Sequence, residues 1–425
     1  MAVDTRELAP EQLRELTLDW LREQLPVGWM DAVDGGDEVA LAQARRGLDY
    51  AEWCVRFGEA GFATPTWPVD YGAGMSLAPG QAQHVNDVLN HYKVPRPYNI
   101  IGIGMGGPTL IAWGTEEMKH RLLRPLACNQ EIWCQLFSEP GAGSDVAGLA
   151  TRAVRDGDEW TVNGQKVWTT VAHIAKWGML LCRTNPDVPK HGGLSYFVVD
   201  MTQPGVEVRP LVQITGDAEF NEVFFNDARV RNDWMLGREG DGWKVAITTL
   251  MNERVSLSGA GSIGGDAVGG SPVQRLLERH RGTRDPLTRQ RLAQAYIEGR
   301  LIRLNNERAA AKRTSGGEAG PEGSITKLQQ AEFNIRLQNL AIDLEGAAGT
   351  AWEGTNLSKT ERVGRTPQVD DDASVAFGFL RAQANTIEGG TSDVMRNILG
   401  ERVLGLPKEP DASREMPWKD VPRSA

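Results

Sequence analysis

One segment of the sequence combines small residues and hydroxyl groups in a way that suits ligand binding. It runs from Cys134 to Asp145 and reads CQLFSEPGAGSD, with Ser138 and Ser144 as its hydroxyl donors. Small residues leave backbone N–H groups accessible, so such a segment can hydrogen-bond an anionic or amide-rich ligand at close range. It is not a phosphate-binding P-loop, because no Gly-Lys-Ser/Thr follows it. A tight loop at the entrance to a β domain would use the same residues, and the spacing alone leaves both interpretations open.

Helical spacing predicts an α domain before this segment, up to about Ile132. Leu13, Leu16 and Trp20 recur at intervals of three and four residues, as on one face of a helix. The Gly-rich run 102–107 has no preceding strand, so it predicts a turn and not a dinucleotide-binding loop.

From Trp133 to about Leu236 the pattern predicts a β domain. Short runs rich in β-branched and aromatic residues alternate with turn residues at regular intervals, as in a small sandwich or barrel. Asn163-Gly164 lies between two such runs and predicts the turn of a β-hairpin.

Helical spacing returns at about Gly242 and continues almost to the end of the chain. Ser324 and Thr391 are candidate N-caps of two helices, and the polar, Pro-containing tail after Pro407 is expected to be loosely held. The predicted class is α+β, with an N-terminal helical domain (1–132), a middle β domain (133–238), a C-terminal helical bundle (239–407) and a tail (408–425).

Composition narrows the function classes. The chain has 425 residues with 46 Lys plus Arg against 56 Asp plus Glu, a net charge of -10, which argues against a general nucleic-acid binder. No apolar run approaches the roughly 20 residues that span a bilayer. The acidic N-terminus does not look like a signal peptide, and the four cysteines follow no metal-binding pattern, so we expect a cytoplasmic protein without a metal site.

Several motifs, taken in chain order, extend the signal of the first segment. They are SEPGAGSD (138–145), NGQKVWTT (163–170), EVFF (222–225), LGREGDGW (236–243), GTS (390–392) and ERVLGLP (401–407). In this order they resemble the acyl-CoA dehydrogenase family. The resemblance implies an acyl-CoA dehydrogenase-like fold, with an α domain, a β domain and a C-terminal four-helix bundle.

The resemblance also implies a reaction and a cofactor. Members use FAD to oxidise an acyl-CoA thioester to its 2,3-enoyl form; a base removes the α proton and a hydride passes to flavin N5. By position, Trp168 would stack on the flavin, Thr170 would lie near N5, Ser138 would contact the flavin, Ser144 would bind CoA, and Thr391 would lie near the pyrophosphate. The implied cofactor-binding set is Gln135, Phe137, Ser138, Gly143, Ser144, Trp168, Thr169, Thr170, Thr391 and Ser392.

Two glutamates compete for the role of the base. Many members carry it two residues before the flavin-contacting Thr, where this chain has Gly389, and Glu388 is displaced by one residue. Isovaleryl- and long-chain-type members place the glutamate on a C-terminal helix directly before an Arg, which corresponds to Glu253. We therefore expect Glu253 to be the base with Glu388 in reserve, and Asn252 and Arg254 to bind substrate.

Two family segments are missing from this chain. The usual Arg-x-x-Phe-Gly is replaced by basic residues between Leu277 and Pro286, and the usual Gln-x-x-Gly-Gly-x-Gly by Asp343-Leu-Glu-Gly-Ala-Ala-Gly349. Both would serve the flavin diphosphate and adenine. The expected assembly is therefore a homo-oligomer, dimeric or tetrameric, or an α2β2 complex with a related subunit, and the expected electron acceptor is an electron-transfer flavoprotein.

Two alternative functions and the role of one Gly-rich segment stay open at the level of sequence. The chain could be a half-site or non-catalytic partner subunit, or an oxygen-using flavin oxidase or monooxygenase on the same fold. The segment Ser256–Ser271 is rich in glycine, which is costly inside a helix; it predicts either a flexible loop or a wide cavity for a branched or polycyclic acyl chain.

Overall fold

The computed structural model describes residues 5–258, 272–314, 323–351 and 375–422. Most of the Gly-rich segment 256–271 lies outside these ranges, so the prediction of a flexible loop or a wide acyl cavity concerns residues outside the described ones. The chain divides into two compact units, and the second begins at Trp133. Within the described ranges, no helix is both long enough and apolar enough to cross a membrane.

The first unit is helical, as the spacing predicts. An aromatic cluster forms part of its core: the Trp20 ring lies 5.4 Å from Trp53 and 4.7 Å from Phe62, and Trp53 stacks on Phe57 at 5.4 Å. The α-helices are α1 (Pro10–Gln24), α2 (Trp29–Asp34), α3 (Glu38–Arg45), α4 (Tyr50–Glu59), α5 (Pro79–His91), α6 (Gly107–Trp113) and α7 (Glu116–Ala127).

The turn predicted at residues 102–107 is wrong. Gly102–Gly106 form a π-helical segment that continues into α6. A side chain at Gly102 would overlap the Asn99 amide, and one at Gly107 would overlap the Trp67 ring. These glycines therefore permit close packing against neighbouring side chains, and a periodicity argument does not detect that requirement.

The second unit begins with a single connected sheet. Its strand order is β6-β7-β3-β2-β4-β5-β8, and β1 pairs with β4. The β1–β4 and β2–β4 pairs are parallel and the other pairs are antiparallel. The strands are β1 (Trp133–Leu136), β2 (Arg152–Asp156), β3 (Glu159–Thr170), β4 (Trp177–Arg183), β5 (Leu194–Asp200), β6 (Val206–Leu211), β7 (Phe220–Arg231) and β8 (Met235–Leu236).

The hairpin turn predicted at Asn163-Gly164 is also wrong. Strand β3 runs through these residues, and the β2–β3 turn contains Gly157 at φ +65° instead. Asn163 accepts a hydrogen bond from the Asp227 N–H at 3.1 Å and donates to the Asp227 carboxylate at 2.9 Å, across an irregularity in the β3–β7 register. A side chain at Gly164 would overlap Thr151, so the pair marks a bulge, a position that also favours glycine.

Helices complete the second unit. Leu337 and Leu340 of α11 are buried together, as their spacing predicts. Thr391 caps α13, since its hydroxyl accepts the Val394 N–H at 3.1 Å. Ser324 is not a cap, because α11 already begins at Gly323. The helices are α8 (Gly242–Ser258), α9 (Pro272–Arg279), α10 (Pro286–Thr314), α11 (Gly323–Glu345), α12 (Val375–Ala382) and α13 (Ser392–Ile398). This α+β arrangement confirms the predicted fold class.

The loosely held tail is a further correction. Residues up to 415 are mostly exposed, but Pro417 pairs with Pro189, and the Trp418 N–H donates to the Val188 carbonyl at 2.9 Å. The end of the chain is therefore hydrogen-bonded to the β domain. A polar composition does not reveal this contact, because backbone groups and one tryptophan make it.

Candidate active site

The segment that follows β1 lies beside the end of β3. Gln135 is half-buried on β1, and Phe137 is buried edge-on against Tyr196 at 5.7 Å. The Ser138 carbonyl accepts the Val167 N–H at 2.9 Å. This backbone bond brings Ser138 next to the residues immediately before Trp168, so two of the sequence motifs meet here.

A buried ion pair joins the same two motifs. Lys166 Nζ donates to Glu139 Oε1 at 2.8 Å and to the Phe137 carbonyl at 3.0 Å. Glu139 also accepts the N–H groups of Ala150 and Thr151 at 2.7 and 2.9 Å. Burial raises the pKa of Glu139, but Lys166 and these donors outweigh it and hold that pKa below its usual value; burial lowers the pKa of Lys166. Both residues stand inside motifs visible in the sequence, yet nothing in the spacing signals that they pair.

The glycines after Glu139 leave open space. A side chain added at Gly141 or Gly143 would meet no atom within 4 Å, and Ser144 is exposed. The Asp145 carboxylate accepts two hydrogen bonds from the Lys190 ammonium, each 2.9 Å long. The loop therefore presents its backbone and the Ser144 hydroxyl to solvent while its end is fixed by a charge pair.

Trp168 occupies an unusual backbone conformation at a bulge. Its φ is +60°, and the β3–β7 register shifts between Lys166 and Thr169. Such a conformation costs a residue with a Cβ about 1–2 kcal/mol. The indole is 61% exposed and touches the Phe220 ring edge-on at 5.9 Å. Strain that keeps a large aromatic ring exposed indicates a surface kept for a ligand.

Glu388 is held by donors on both of its oxygens. Arg381 donates to them at 3.2 and 3.0 Å, and Asn385 donates at 2.6 Å. The same guanidinium lies 3.6 Å from Glu219 and 5.9 Å above the Phe220 ring. Burial raises the pKa of Glu219, while Arg381 opposes that shift. Arg381, which no sequence motif singles out, thus connects the β7 end of the sheet to the helices.

The charge of Lys327, on α11, interacts with both candidate bases, Glu253 and Glu388. Its ammonium donates to the carbonyls of Asn385 and Gly390 at 2.9 and 2.6 Å, and so supports the turn before Thr391. Burial lowers the pKa of Lys327, and the charges of Glu388 and Glu253 oppose this shift. Both carboxylates therefore lie within electrostatic range of one cation. Lys327 had no sequence signal either.

The remaining predicted substrate residues lie on α8. Glu253 is half-buried, and Asn252 donates its amide to the Thr248 carbonyl of the same helix at 2.9 Å. The side chain of Arg254 lies outside the described residues. The charge of Glu253 therefore reaches Lys327, whereas the Asn252 amide donates to its own helix.

The two segments that depart from the family pattern contact each other. Arg279 forms an ion pair with Glu345 at 3.0 Å, and Arg291, five residues after the first segment, pairs with Asp343 at 2.6 Å. Arg279 and Arg291 are therefore each paired with an acidic residue of the same chain.

Comparison with known proteins identifies the family. Residues 134–228 match the family model for the acyl-CoA dehydrogenase middle domain, and residues 240–404 match that for the C-terminal domain. Over 406 residues the chain is 37% identical to acyl-CoA dehydrogenase IpdE1 of Mycobacterium tuberculosis, covering 94% of this chain and 98% of that protein. The chain belongs to the acyl-CoA dehydrogenase family. It is therefore an oxidoreductase of that family.

Solved structures in this family agree with the fold. One chain of the ChsE4–ChsE5 complex from Mycobacterium tuberculosis is 27% identical with a TM-score of 0.69, covering 94% of this chain and 98% of that chain. A chain of the steroid acyl-CoA dehydrogenase Tcur3481–Tcur3483 is 26% identical with a TM-score of 0.71, and the match covers 95% of this chain and 100% of that chain.

The acyl-CoA dehydrogenase family implies a flavin cofactor, and the residues present fit one. Thr169 and Ser392 are buried, and among the described residues neither hydroxyl has a hydrogen-bond partner. Buried polar groups are normally satisfied, so an orphaned hydroxyl beside the exposed Trp168 ring indicates a missing ligand. Gly389 and Gly390, at φ +62° and +93°, shape the turn that precedes the Thr391 cap. Among the described residues, no cluster of three or more potential ligands could hold a metal ion.

We predict that Lys166→Met lowers the free energy of unfolding by about 3 kcal/mol or more at neutral pH, because a buried carboxylate loses its partner. In the wild type, the lowered pKa of Glu139 contributes stability above about pH 4.3 that is lost as pH falls. Without Lys166, burial raises the pKa of Glu139. Acid then protonates Glu139 and removes the cost of burying an unpaired carboxylate. The difference between the proteins should shrink toward pH 4 in urea unfolding curves.

Lys176→Met is the matched control. Lys176 pairs with Asp200 at 2.7 Å in the same domain, but both side chains are about one third exposed. Such pairs contribute about 1 kcal/mol or less. An equal loss in the two variants, or a Lys166 penalty that does not change with pH, would contradict the role of the buried pair.

Proposed function

We propose that this protein catalyses FAD-dependent α,β-dehydrogenation of an acyl-CoA thioester to the 2,3-enoyl-CoA, with Glu253 as the base. A series of contacts and charge interactions supports this proposal. Trp168 touches Phe220, Phe220 lies under Arg381, Arg381 holds Glu388, and the charge of Glu388 acts with that of Glu253 on Lys327. Contacts and charge interactions thus link the residues proposed for flavin binding with the residue proposed for proton removal, which supports a common site.

The geometry favours Glu253 over Glu388 as the base. A base needs a lone pair directed at the substrate proton, and Glu388 already accepts from Arg381 and Asn385 with both oxygens. Freeing it would also leave the partly buried Arg381 without one of its two anions. Glu253 is half-buried on α8, in the position where isovaleryl- and long-chain-type members carry the base. We assign Glu388 the role of holding Arg381.

The proposed roles of the other residues follow from their positions. Bound FAD supplies the acceptor for the hydride. Trp168 covers one face of the flavin ring and excludes water from it, while the hydroxyls of Thr169 and Thr170 donate to its polar edge. Ser144 and the open backbone around Gly143 bind the CoA portion, and Glu253, whose charge interacts with that of Lys327, accepts the α proton.

Thr169→Val should separate flavin binding from folding. Removing an unpartnered buried hydroxyl costs the flavin-free protein nothing, so its free energy of unfolding should be unchanged or higher. The same change deletes a hydrogen bond to bound flavin, and FAD affinity should fall about tenfold. Thr161→Val, at a half-buried position near the opposite end of the same strand, should leave FAD affinity unchanged. If Thr169→Val destabilises the flavin-free protein and leaves FAD affinity intact, the hydroxyl does not serve the cofactor.

Glu253→Gln tests the base directly. It should lower turnover by about a thousandfold, since a general base contributes on that order, while flavin stays bound. Glu388→Gln should retain turnover within about tenfold, because the amide can still accept from Arg381. Bleaching of flavin absorbance on anaerobic mixing with acyl-CoA esters measures both variants. Near wild-type bleaching in Glu253→Gln, or a larger loss in Glu388→Gln, would overturn the assignment.

The proposed substrate carries a bulky, polycyclic acyl group. The support comes from the comparisons, because the Tcur3481–Tcur3483 protein is described as a steroid acyl-CoA dehydrogenase. The same anaerobic mixing experiment tests the substrate class in the wild-type protein. Bleaching by short straight-chain esters and none by polycyclic esters would exclude it while leaving the base assignment intact.

We further propose that a related subunit completes the flavin site. Arg279 and Arg291 are already paired within the chain, and the family segments that would serve the diphosphate and adenine are missing, which favours donors from another subunit. The solved relatives ChsE4–ChsE5 and Tcur3481–Tcur3483 are each built from two different proteins. On α10, Ile297, Leu301 and Leu304 recur on one face and are 44–52% exposed. An apolar stripe of this kind marks a subunit interface. The proposed electron acceptor is an electron-transfer flavoprotein.

Leu301→Glu should weaken this assembly, because burying an unpaired carboxylate in an interface is costly. Light scattering of the complex, co-expressed with its partner subunit, should show a shift toward single chains and loss of bound FAD. Val154→Glu places the same charge at an isolated exposed valine of β2 and should change neither. An unchanged mass for Leu301→Glu would exclude α10 from the interface.

A further inference from the structure

The end of the chain, which lies beyond the match to the C-terminal family model, contacts the β domain. That match ends at residue 404. Beyond it, Pro417 bridges to Pro189, the Trp418 N–H donates to the Val188 carbonyl, and the Lys419 ammonium lies 2.7 Å from Asp187. We call Pro417–Lys419 the strap. Its backbone and its charge both attach to the loop between β4 and β5.

The Trp418 side chain extends this contact to a second loop. Its indole N–H donates to the Gly148 carbonyl at 3.1 Å, and its ring lies 4.5 Å from the guanidinium carbon of Arg183. Arg183 is buried and donates to the carbonyls of Ala147 and Leu149 at 2.6 and 3.3 Å. Three successive carbonyls are therefore held by Trp418 and by the cation on which it stacks.

These carbonyls directly follow the loop proposed to bind CoA. Ser144 lies three residues before Ala147, and the intervening Asp145 is held by Lys190, which belongs to the strapped β4–β5 loop. On the N-terminal side of Ser144, Ala142 is buried and exchanges two backbone hydrogen bonds with Glu139, at 3.0 and 3.1 Å. The conformation of Ser144 therefore depends on anchors on both sides, and the contacts of Trp418, Arg183 and Lys190 supply the C-terminal ones.

We propose that the strap fixes the Ser144 loop in the conformation that binds the CoA portion of the substrate, and that Trp418 is a positioning residue for this purpose. The inference rests on the proposed function. A loop ordered before binding does not lose that conformational entropy when the ligand arrives, so losing the strap weakens CoA binding without altering the chemistry at Glu253. KM should rise while kcat is retained.

The experiment compares Trp418→Ala and Trp418→Phe with Lys408→Ala in the flavin-loaded protein. Lys408 is exposed in the same tail, so its variant controls for a change in the tail as such. Hydrogen exchange of amides 141–149 reports loop order, calorimetry with CoA itself reports binding, and steady-state assays with acyl-CoA separate KM from kcat.

In Trp418→Ala we expect loop exchange to rise about tenfold and the CoA Kd and acyl-CoA KM to rise about five- to tenfold, because a hydrogen bond and a cation–π contact are lost. We expect kcat to stay within about twofold. Trp418→Phe keeps a ring against Arg183, so its loop exchange, CoA Kd and acyl-CoA KM should lie between those of Trp418→Ala and the wild type. Lys408→Ala should match the wild type.

Two results would overturn the proposal. One is unchanged loop exchange in Trp418→Ala; the other is faster exchange with unchanged CoA Kd and KM, which would make the strap purely structural. If Trp418→Ala does not fold, Trp418→Phe and Lys419→Ala, which removes the Asp187 ion pair, decide between the same outcomes. Failure of the wild-type protein to oxidise any acyl-CoA would exclude the proposed function, whereas the exchange and CoA measurements would still test the strap.

Discussion

The buried ion pair between Glu139 and Lys166 is the constraint on which the candidate site depends. Each charge is removed from water, so each must keep its partners: Glu139 the N–H groups of Ala150 and Thr151, Lys166 the Phe137 carbonyl. Breaking such a pair leaves an uncompensated buried charge. One member adjoins Ser138 and the other lies two residues before Trp168. The two motifs that would hold the flavin ring therefore cannot move apart without disrupting the core of the β domain.

Arg381 links the sheet to the helices by ion pairs with Glu219 and Glu388. Its guanidinium lies between Glu219, at the start of β7, and Glu388, before α13, and it covers the Phe220 ring that Trp168 touches. A cation shared by two carboxylates fixes their separation, and the Arg381 charge opposes the burial that raises the pKa of Glu219. Because Glu388 serves this structural purpose, proton abstraction is better assigned to Glu253. The displacement of the glutamate by one residue from the usual position thus acquires a physical reason.

Much of the fold could be predicted from residue patterns, and the failures share a cause. Apolar spacing predicted the α–β–α order, the buried face with Leu337 and Leu340, and the Thr391 cap, because these features depend on neighbours within a few residues. The spacing misjudged Asn163-Gly164 and the glycines at 102–107. Glycine there is required by Thr151, Asn99 and Trp67, side chains that adjoin it only after folding.

The sequence by itself determined the family, the class of chemistry and the positions of the motif residues, because short-range motifs encode local backbone shape and donor type. Only the tertiary structure decided that Lys166 pairs with Glu139, that Arg381 engages Glu388, that the charges of Glu388 and Glu253 act on Lys327, and that Trp418 holds a loop. These interactions join residues far apart in the chain. Their strength comes from burial, and burial is a property of the packed fold and of no single segment.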